Sequence, residues 1–376
     1  MKIANGLVYQ DESYFADTDL LIRDGVIAGI GPHLAADETY DATGCYVIPG
    51  FIDLHIHGFG GLDTMNGAEA VRTMSRELVK HGTTSFLPTT MTAAKPETRA
   101  AVRGIAKVMA DPEPIGSAVL GCLMEGPFFC EKRKGAQPAH ALLAPTLADY
   151  EDMTGEDAGI VRRLALAPEL PGAAELIRAL VERGVQVSLG HTDATYAQMI
   201  AAAAAGATSV THIYNGMSPL THREPGAVGA ALTCRQLIPE FIADLIHLHP
   251  AALKLVYDSK GSDGCIAITD SMEAGGMPDG QYQLGGQEVF VKDGAARLTD
   301  GTLAGSVLTL RRSLANMVTV VGVPIAEALP MYTSTPARLI GETRRGSLTE
   351  GYIADIVVLD HAFNVRAVWV GGKRCV

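Results

Sequence analysis

The chain reads as an α/β protein, a (β/α)8 TIM-like barrel with a small β-sandwich domain formed by both termini, and three features predict this. Eight short apolar runs, near residues 45–52, 83–89, 116–124, 161–167, 185–190, 207–211, 238–243 and 264–269, alternate with amphipathic stretches. That alternation is the pattern of a parallel sheet wrapped by helices. Five of the runs end in His, Glu or Asp, where a barrel carries its catalytic groups. The first 45 residues and the stretch Gly351 to Asp360 are β-like without the alternation. A closed barrel leaves both chain ends outside its core, so residues 1–48 and 346–376 are expected to pair as one discontinuous domain around a barrel of residues 49–345.

The elements follow in order. Leu20-Leu21-Ile22 and Val26-Ile27-Ala28 flank Asp24-Gly25, a dipeptide suited to a tight hairpin. Tyr46 to Ile52 then runs straight into Asp53-Leu54-His55-Ile56-His57. Residues two apart on a strand point to the same side, so His55 and His57 can converge on one divalent ion through neutral ring nitrogens. An isolated His-x-His can equally be a polar strand terminus. Four further runs change the balance: Val119 to Met124 ends at Glu125, Val185 to Gly190 at His191, Ser209 to Thr211 at His212, and Cys265 to Thr269 at Asp270. Strand ends have no general need for imidazole, so the five read as one site. Among the helical stretches, Ala173 to Arg183 has apolar residues at helical spacing and Gly184 at its stop.

Composition narrows the partners. A net charge of −12 without a Lys/Arg cluster argues against nucleic acid and anionic membrane and for a small-molecule partner. The six cysteines show no CxxC pairing and read as reduced, buried thiols. Met1 to Gly6 lacks a secretory apolar stretch, and no run approaches a bilayer span. A cytoplasmic protein is the expectation.

Pro49-Gly50-Phe51-Ile52-Asp53-Leu54-His55-Ile56-His57-Gly58 resembles the opening metal motif of the amidohydrolase superfamily, and Gly351 to Asp360 its closing strand. Narrower motifs are similar to the N-acetylglucosamine-6-phosphate deacetylase family. They include Met124-Glu125-Gly126-Pro127-Phe128, Leu189-Gly190-His191-Thr192-Asp193-Ala194, Thr211-His212-Ile213-Tyr214-Asn215-Gly216-Met217 and Ile268-Thr269-Asp270-Ser271-Met272, in order along nearly the whole chain.

Amide hydrolysis at neutral pH needs an activated water, an oxyanion stabiliser and a proton for the departing amine. A metal supplies the first two. Glu125, His191 and His212 form a three-ligand set with an open position for the water. Asp270 is the candidate that accepts the water's proton and returns it to the amine; a ligating or supporting carboxylate is its other reading. Some relatives carry Gln and Asn at the His55 and His57 positions, so one tightly held ion at Glu125/His191/His212 and a weaker second at His55/His57 are expected. Zinc and iron suit the same ligands.

The resemblance also implies that Arg223 and His247 face a sugar phosphate, with Asn215 and the Gly216 backbone assisting. It implies a homodimer in which Arg223 or His247 acts across the interface. Gln137 stands where some relatives have His, which leaves its contact with the sugar or acetyl oxygen open; His140 lies nearby in the sequence but is not taken as its substitute. Leu303 and Ala304 either line an acetyl pocket or pack a loop. The expected reaction is conversion of N-acetylglucosamine 6-phosphate to glucosamine 6-phosphate and acetate, in amino-sugar catabolism or cell-wall recycling. The rivals are another amidohydrolase acting on a different N-acylated amine or cyclic amide, and an inactive barrel with a regulatory or assembly role.

Overall fold

The computed structural model describes residues 1–11, 13–111 and 116–376. Eight parallel strands form the barrel: β1 (Phe51–Ile56), β2 (Thr83–Thr90), β3 (Cys122–Glu125), β4 (Val161–Leu166), β5 (Gln186–Leu189), β6 (Ser209–Val210), β7 (Ile238–Phe241) and β8 (Ile266–Ala267). Each pairs with its sequence neighbour. Between β8 and β1 the ring closes through short contacts beyond β8: Asp270 N donates to His55 O at 2.9 Å and His57 N to Ser271 O at 2.8 Å. The expected helix is present as Ala173–Glu182, with Gly184 left-handed at φ +77° beyond its end.

The terminal sheet has eight strands, joined where Cys45–Pro49 runs antiparallel to Ile356–Asp360 and Ile48 faces Val357. Asp24 and Gly25 both take positive φ and close the hairpin between Tyr14–Arg23 and Val26–Gly31. The sheet turns back far enough for Val26 to bridge Ile353. Its core runs into the barrel's without a break: Ile3, Val8, Val47 and Trp369 belong to the same buried cluster as Phe51, Met124 and Leu164.

Three expectations are corrected. The apolar run 45–52 is two strands in two sheets, broken at Gly50, because the chain there crosses from the terminal sheet into the barrel. A Cβ at Gly50 would lie 2.0 Å from Thr84 Oγ1, so only glycine permits that crossing. The run 116–124 is likewise split, into Ala118–Val119 and β3, with Gly121 at φ +146° between them. Nor are the cysteines uniformly buried. Cys122 and Cys265 are, with burial pushing the Cys265 thiol up to about 12, whereas Cys375 is exposed.

A three-stranded meander, Gly280–Leu284, Gln287–Lys292 and Ala295–Leu298, also projects from the barrel after β8. Val289 and Val291 point inward and Glu288 and Lys292 outward, the period-two pattern of a half-buried strand. No described helix is long and apolar enough to cross a membrane.

Candidate active site

Strand ends deliver six donors to one point. Glu125 closes β3, while His191, His212 and Asp270 follow two or three residues after β5, β6 and β8. These last three leave their strands in left-handed backbone, with φ of +46°, +27° and +49°. Side chains other than glycine rarely adopt that region, and it costs roughly 1–3 kcal/mol per residue when surrounding structure imposes it. Here it is imposed by hydrogen bonds to each residue's carbonyl, from Cys130 N to His191 O, Asn215 N to His212 O and Ser306 N to Asp270 O.

The distances define two halves sharing one carboxylate. Glu125 Oε1 lies 3.1 Å from His212 Nε2 and 3.3 Å from His191 Nε2, and those nitrogens are 3.2 Å apart. Glu125 Oε2 lies 3.1 Å from His57 Nε2, which is 3.3 Å from His55 Nε2 and 3.3 Å from Asp270 Oδ1. An ion holding nitrogen and oxygen ligands at about 2.0–2.1 Å tetrahedrally sets them about 3.3 Å apart. The donors are therefore already at ligand-to-ligand separation in both groups, His55/His57/Glu125 and Glu125/His191/His212.

Electrostatics point the same way. Burial would strip protons from His55 and His57, but Glu125 and Asp270 outweigh it, holding His55 well above the usual imidazole range and His57 at about 9. Burial also disfavours charge on Glu125, and the imidazoles around it reverse that and hold it well below the usual range. Two buried carboxylates thus demand positive charge at this point, which a divalent ion meets while leaving the rings neutral to ligate it.

The far nitrogens of three imidazoles are held. His191 Nδ1 meets Arg133 O at 2.9 Å, His212 Nδ1 meets Asn215 O at 3.2 Å, and His55 Nδ1 meets Glu240 Oε2 at 3.0 Å. Such contacts fix tautomer and ring orientation in metal sites. Glu240 is fully buried and pairs with the equally buried Arg163 at 2.5 Å. Burial pushes its carboxyl up, but Arg163 and His55 prevail and hold it at about 2.

A cavity of about 200 Å³ opens over the donors, with Gln137, Asn215, Gly216, His247 and Leu303 in its wall. Gln137 Nε2 donates to Glu125 Oε2 at 2.6 Å and its Oε1 accepts from Thr92 N, so it holds the Glu125 carboxylate in place. His247 Nδ1 bonds Asp244 at 2.7 Å, which leaves Nε2 for the cavity. Asn215 Nδ2 is engaged by carbonyls of its own loop. A Cβ at Gly216, φ +58°, would sit 3.0 Å from His191 Nδ1, so this glycine lets the loop close over that ring. Three other residues lie outside this cavity wall. Arg223 is exposed and absent from the cavity wall, His140 lines a neighbouring cleft, and Ala304 is buried beside Met272 and Ala296 rather than facing the cavity.

The profile of the amidohydrolase family matches residues 46–375, spanning the barrel and the closing strands. The chain belongs to the amidohydrolase family. It is 40% identical over 345 residues to the N-acetylglucosamine-6-phosphate deacetylase of Lysinibacillus sphaericus, covering 91% of this chain and 89% of that one. It is also 40% identical over 365 residues to the N-acetylgalactosamine-6-phosphate deacetylase of Escherichia coli O157:H7, covering 96% of each. A variant of the Mycobacterium smegmatis N-acetyl-D-glucosamine-6-phosphate deacetylase, solved with N-acetyl-D-glucosamine-6-phosphate, superposes with a TM-score of 0.92 at 31% identity, covering 100% and 99% of the two chains.

Sequence reasoning did not single out Glu240, Arg163 or the cavity residues Met91, Leu284 and Thr302. The signal for the first two is a charge inside an apolar strand, Arg163 before Leu164-Ala165-Leu166 and Glu240 between Pro239 and Phe241. Leu284 arrives on the meander, so its place depends on an excursion outside the βα alternation.

Proposed function

We propose that the chain hydrolyses the N-acetyl group of N-acetylglucosamine 6-phosphate, giving glucosamine 6-phosphate and acetate within amino-sugar catabolism. The observation that carries this is the convergence of His55, His57, Glu125, His191, His212 and Asp270 beneath a sugar-sized cavity, in a chain whose relatives named for that substrate align over nine-tenths of its length. In this reading residues 49–345 form the catalytic barrel, and residues 1–48 with 346–376 the appended domain. The protein works as a cytoplasmic homodimer.

Glu125, His191 and His212 would hold a zinc or iron ion, and His55 and His57 with Glu125 would hold a weaker second one. A bound ion of this kind polarises the amide carbonyl and lowers the pKa of a water from about 16 to about 7. The rest is done by side chains. Asp270 Oδ1 faces His55 and His57 and the residue lines the cavity; its carboxylate takes the proton from the attacking water and passes it to the amine nitrogen. Gln137 keeps Glu125 from rotating. His247 Nε2 meets the sugar phosphate from the cavity wall, and Leu303 with Met91 and Leu284 encloses the acetyl methyl. Arg223, exposed and off its own cavity, reaches the phosphate in the partner subunit's site, where its planar fork suits a phosphate.

The Escherichia coli relative favours a second reading, in which the C4 epimer, N-acetylgalactosamine 6-phosphate, is the substrate. Acetate release from both phosphorylated epimers and from unphosphorylated N-acetylglucosamine, before and after chelation, tests both. Release confined to a phosphorylated sugar, lost on chelation and restored by zinc or iron, is expected. Equal rates without the phosphate would transfer the reading to another amidohydrolase, and no release from any sugar would leave an amidohydrolase of a non-sugar amide or the inactive barrel. Arg223→Ala should raise KM for the phosphorylated sugar alone; an equal rise for both places the phosphate elsewhere.

A further inference from the structure

One imidazole of the site lacks the support its neighbours have. Among the described residues His57 Nδ1 is buried without a hydrogen-bond partner, whereas His55, His191 and His212 each have an oxygen on the corresponding nitrogen. A second orphan lies close by. Asp63 is 7% exposed, its Oδ1 accepts from Met65 N at 2.8 Å, and its Oδ2 is buried with no partner among the described residues.

The chain brings these two residues close together, near enough for His57 to act electrostatically on the Asp63 carboxyl. Immediately after His57 the backbone forms a tight hairpin in which Gly58 faces Asp63 across the strands, and Thr64 N donates to His57 O at 2.7 Å. A Cβ at Gly58 would lie 2.6 Å from Leu62 O and from Glu273 N, so glycine is required for the hairpin to close this tightly. Two buried, complementary polar groups are costly when left unsatisfied. A buried water with polar partners on both sides removes that cost.

We infer that one ordered water joins His57 Nδ1 to Asp63 Oδ2, which makes Asp63 the positioning residue for the fourth imidazole. The water accepts from the Nδ1 proton and donates to the carboxylate, so the proton is fixed on Nδ1 and Nε2 presents its lone pair to the metal centre. The role of Asp63 in metal binding rests on the reading of His55 and His57 as ligands; the bridge itself does not. Burial pushes the Asp63 carboxyl up to about 6, against a nearby His57 that favours the charged form.

Asp63→Asn is the informative variant, because Asn caps the short helix Thr64–Asn66 as well as Asp does and the fold is preserved. The metal-stripped protein is titrated calorimetrically with Zn²⁺. The step lost in His57→Ala should weaken about ten- to hundredfold in Asp63→Asn, as for other groups supporting a ligating imidazole, with the remaining step and the metal-free Tm unchanged. In the His57→Ala background Asp63→Asn should do nothing more. An unchanged His57-dependent step, or the same loss in both backgrounds, overturns the positioning role. Crystals of the wild-type holoprotein at high resolution should show density within hydrogen-bonding distance of both atoms, and density absent there overturns the bridge. If His57→Ala loses no step at all, the ligand reading of His57 fails, and the density alone decides whether the bridge exists.

Discussion

Glu240→Gln removes the charge under His55 without changing the shape of the side chain. Arg163, fully buried, would then keep only neutral acceptors: Gln186 Oε1 at 2.6 Å, Ser209 Oγ at 3.0 Å and Leu54 O at 3.2 Å. Stranding one member of a buried ion pair destabilises by about 3–5 kcal/mol, and the three remaining acceptors set the expectation at the low end, about 3 kcal/mol. At roughly 2.1 cal/mol/K per residue, 376 residues give an unfolding entropy of about 0.8 kcal/mol/K. The Tm of the metal-stripped variant should therefore fall by about 4 °C, read by scanning calorimetry at neutral pH. Arg163→Met combined with Glu240→Leu should recover most of the loss, since no charge is then left unpaired. A fall under about 1 °C in the single variant would show that Arg163 does not depend on Glu240, and the account of the layer beneath the site would be wrong.

Two further outcomes follow from the geometry. Asp270→Asn should retain metal, measured by elemental analysis, while turnover drops by about 10²–10⁴, the usual contribution of a positioned acid–base group; near-normal turnover would end its proton role. Asp53 predicts a pH effect, because burial raises its carboxyl to about 7 against hydrogen bonds from Thr269 and His55 N. The unfolded chain loses that proton near pH 3.9, so the folded state is the better proton binder between about pH 4 and about pH 7. The stabilisation is full below that window, declines as pH rises through it, and is gone above it. Between about pH 5 and about pH 8 the wild-type Tm should fall more than that of Asp53→Asn, and parallel declines would refute the assignment.

Much of this was legible because barrel chemistry is written at strand ends. His55-x-His57 and the four later strand-terminal donors are visible as polar residues interrupting apolar runs, and the structure brings all six together. Strand limits were less legible. Residues 45–52 are apolar throughout, and only the Cβ-intolerant approach of Gly50 to Thr84 divides them, a tertiary constraint with no local trace. Glu240 and Arg163 were hidden for the opposite reason: each alone resembles a misplaced surface charge, and only pairing across β4 and β7 gives it a role. Arg223 and Ala304 show how far motif order reaches, since it does not fix which side chain turns into a cavity: Arg223 is exposed outside its own cavity, and Ala304 packs beside Met272 and Ala296.

Anomalous diffraction from crystals of the metal-loaded protein, collected at the absorption edges of zinc and iron, tests the central claim most directly. The account predicts a peak about 2.0–2.2 Å from a Glu125 oxygen and from the Nε2 atoms of His191 and His212. Metal retained by the crystals with its peak outside bonding distance of Glu125 would contradict it.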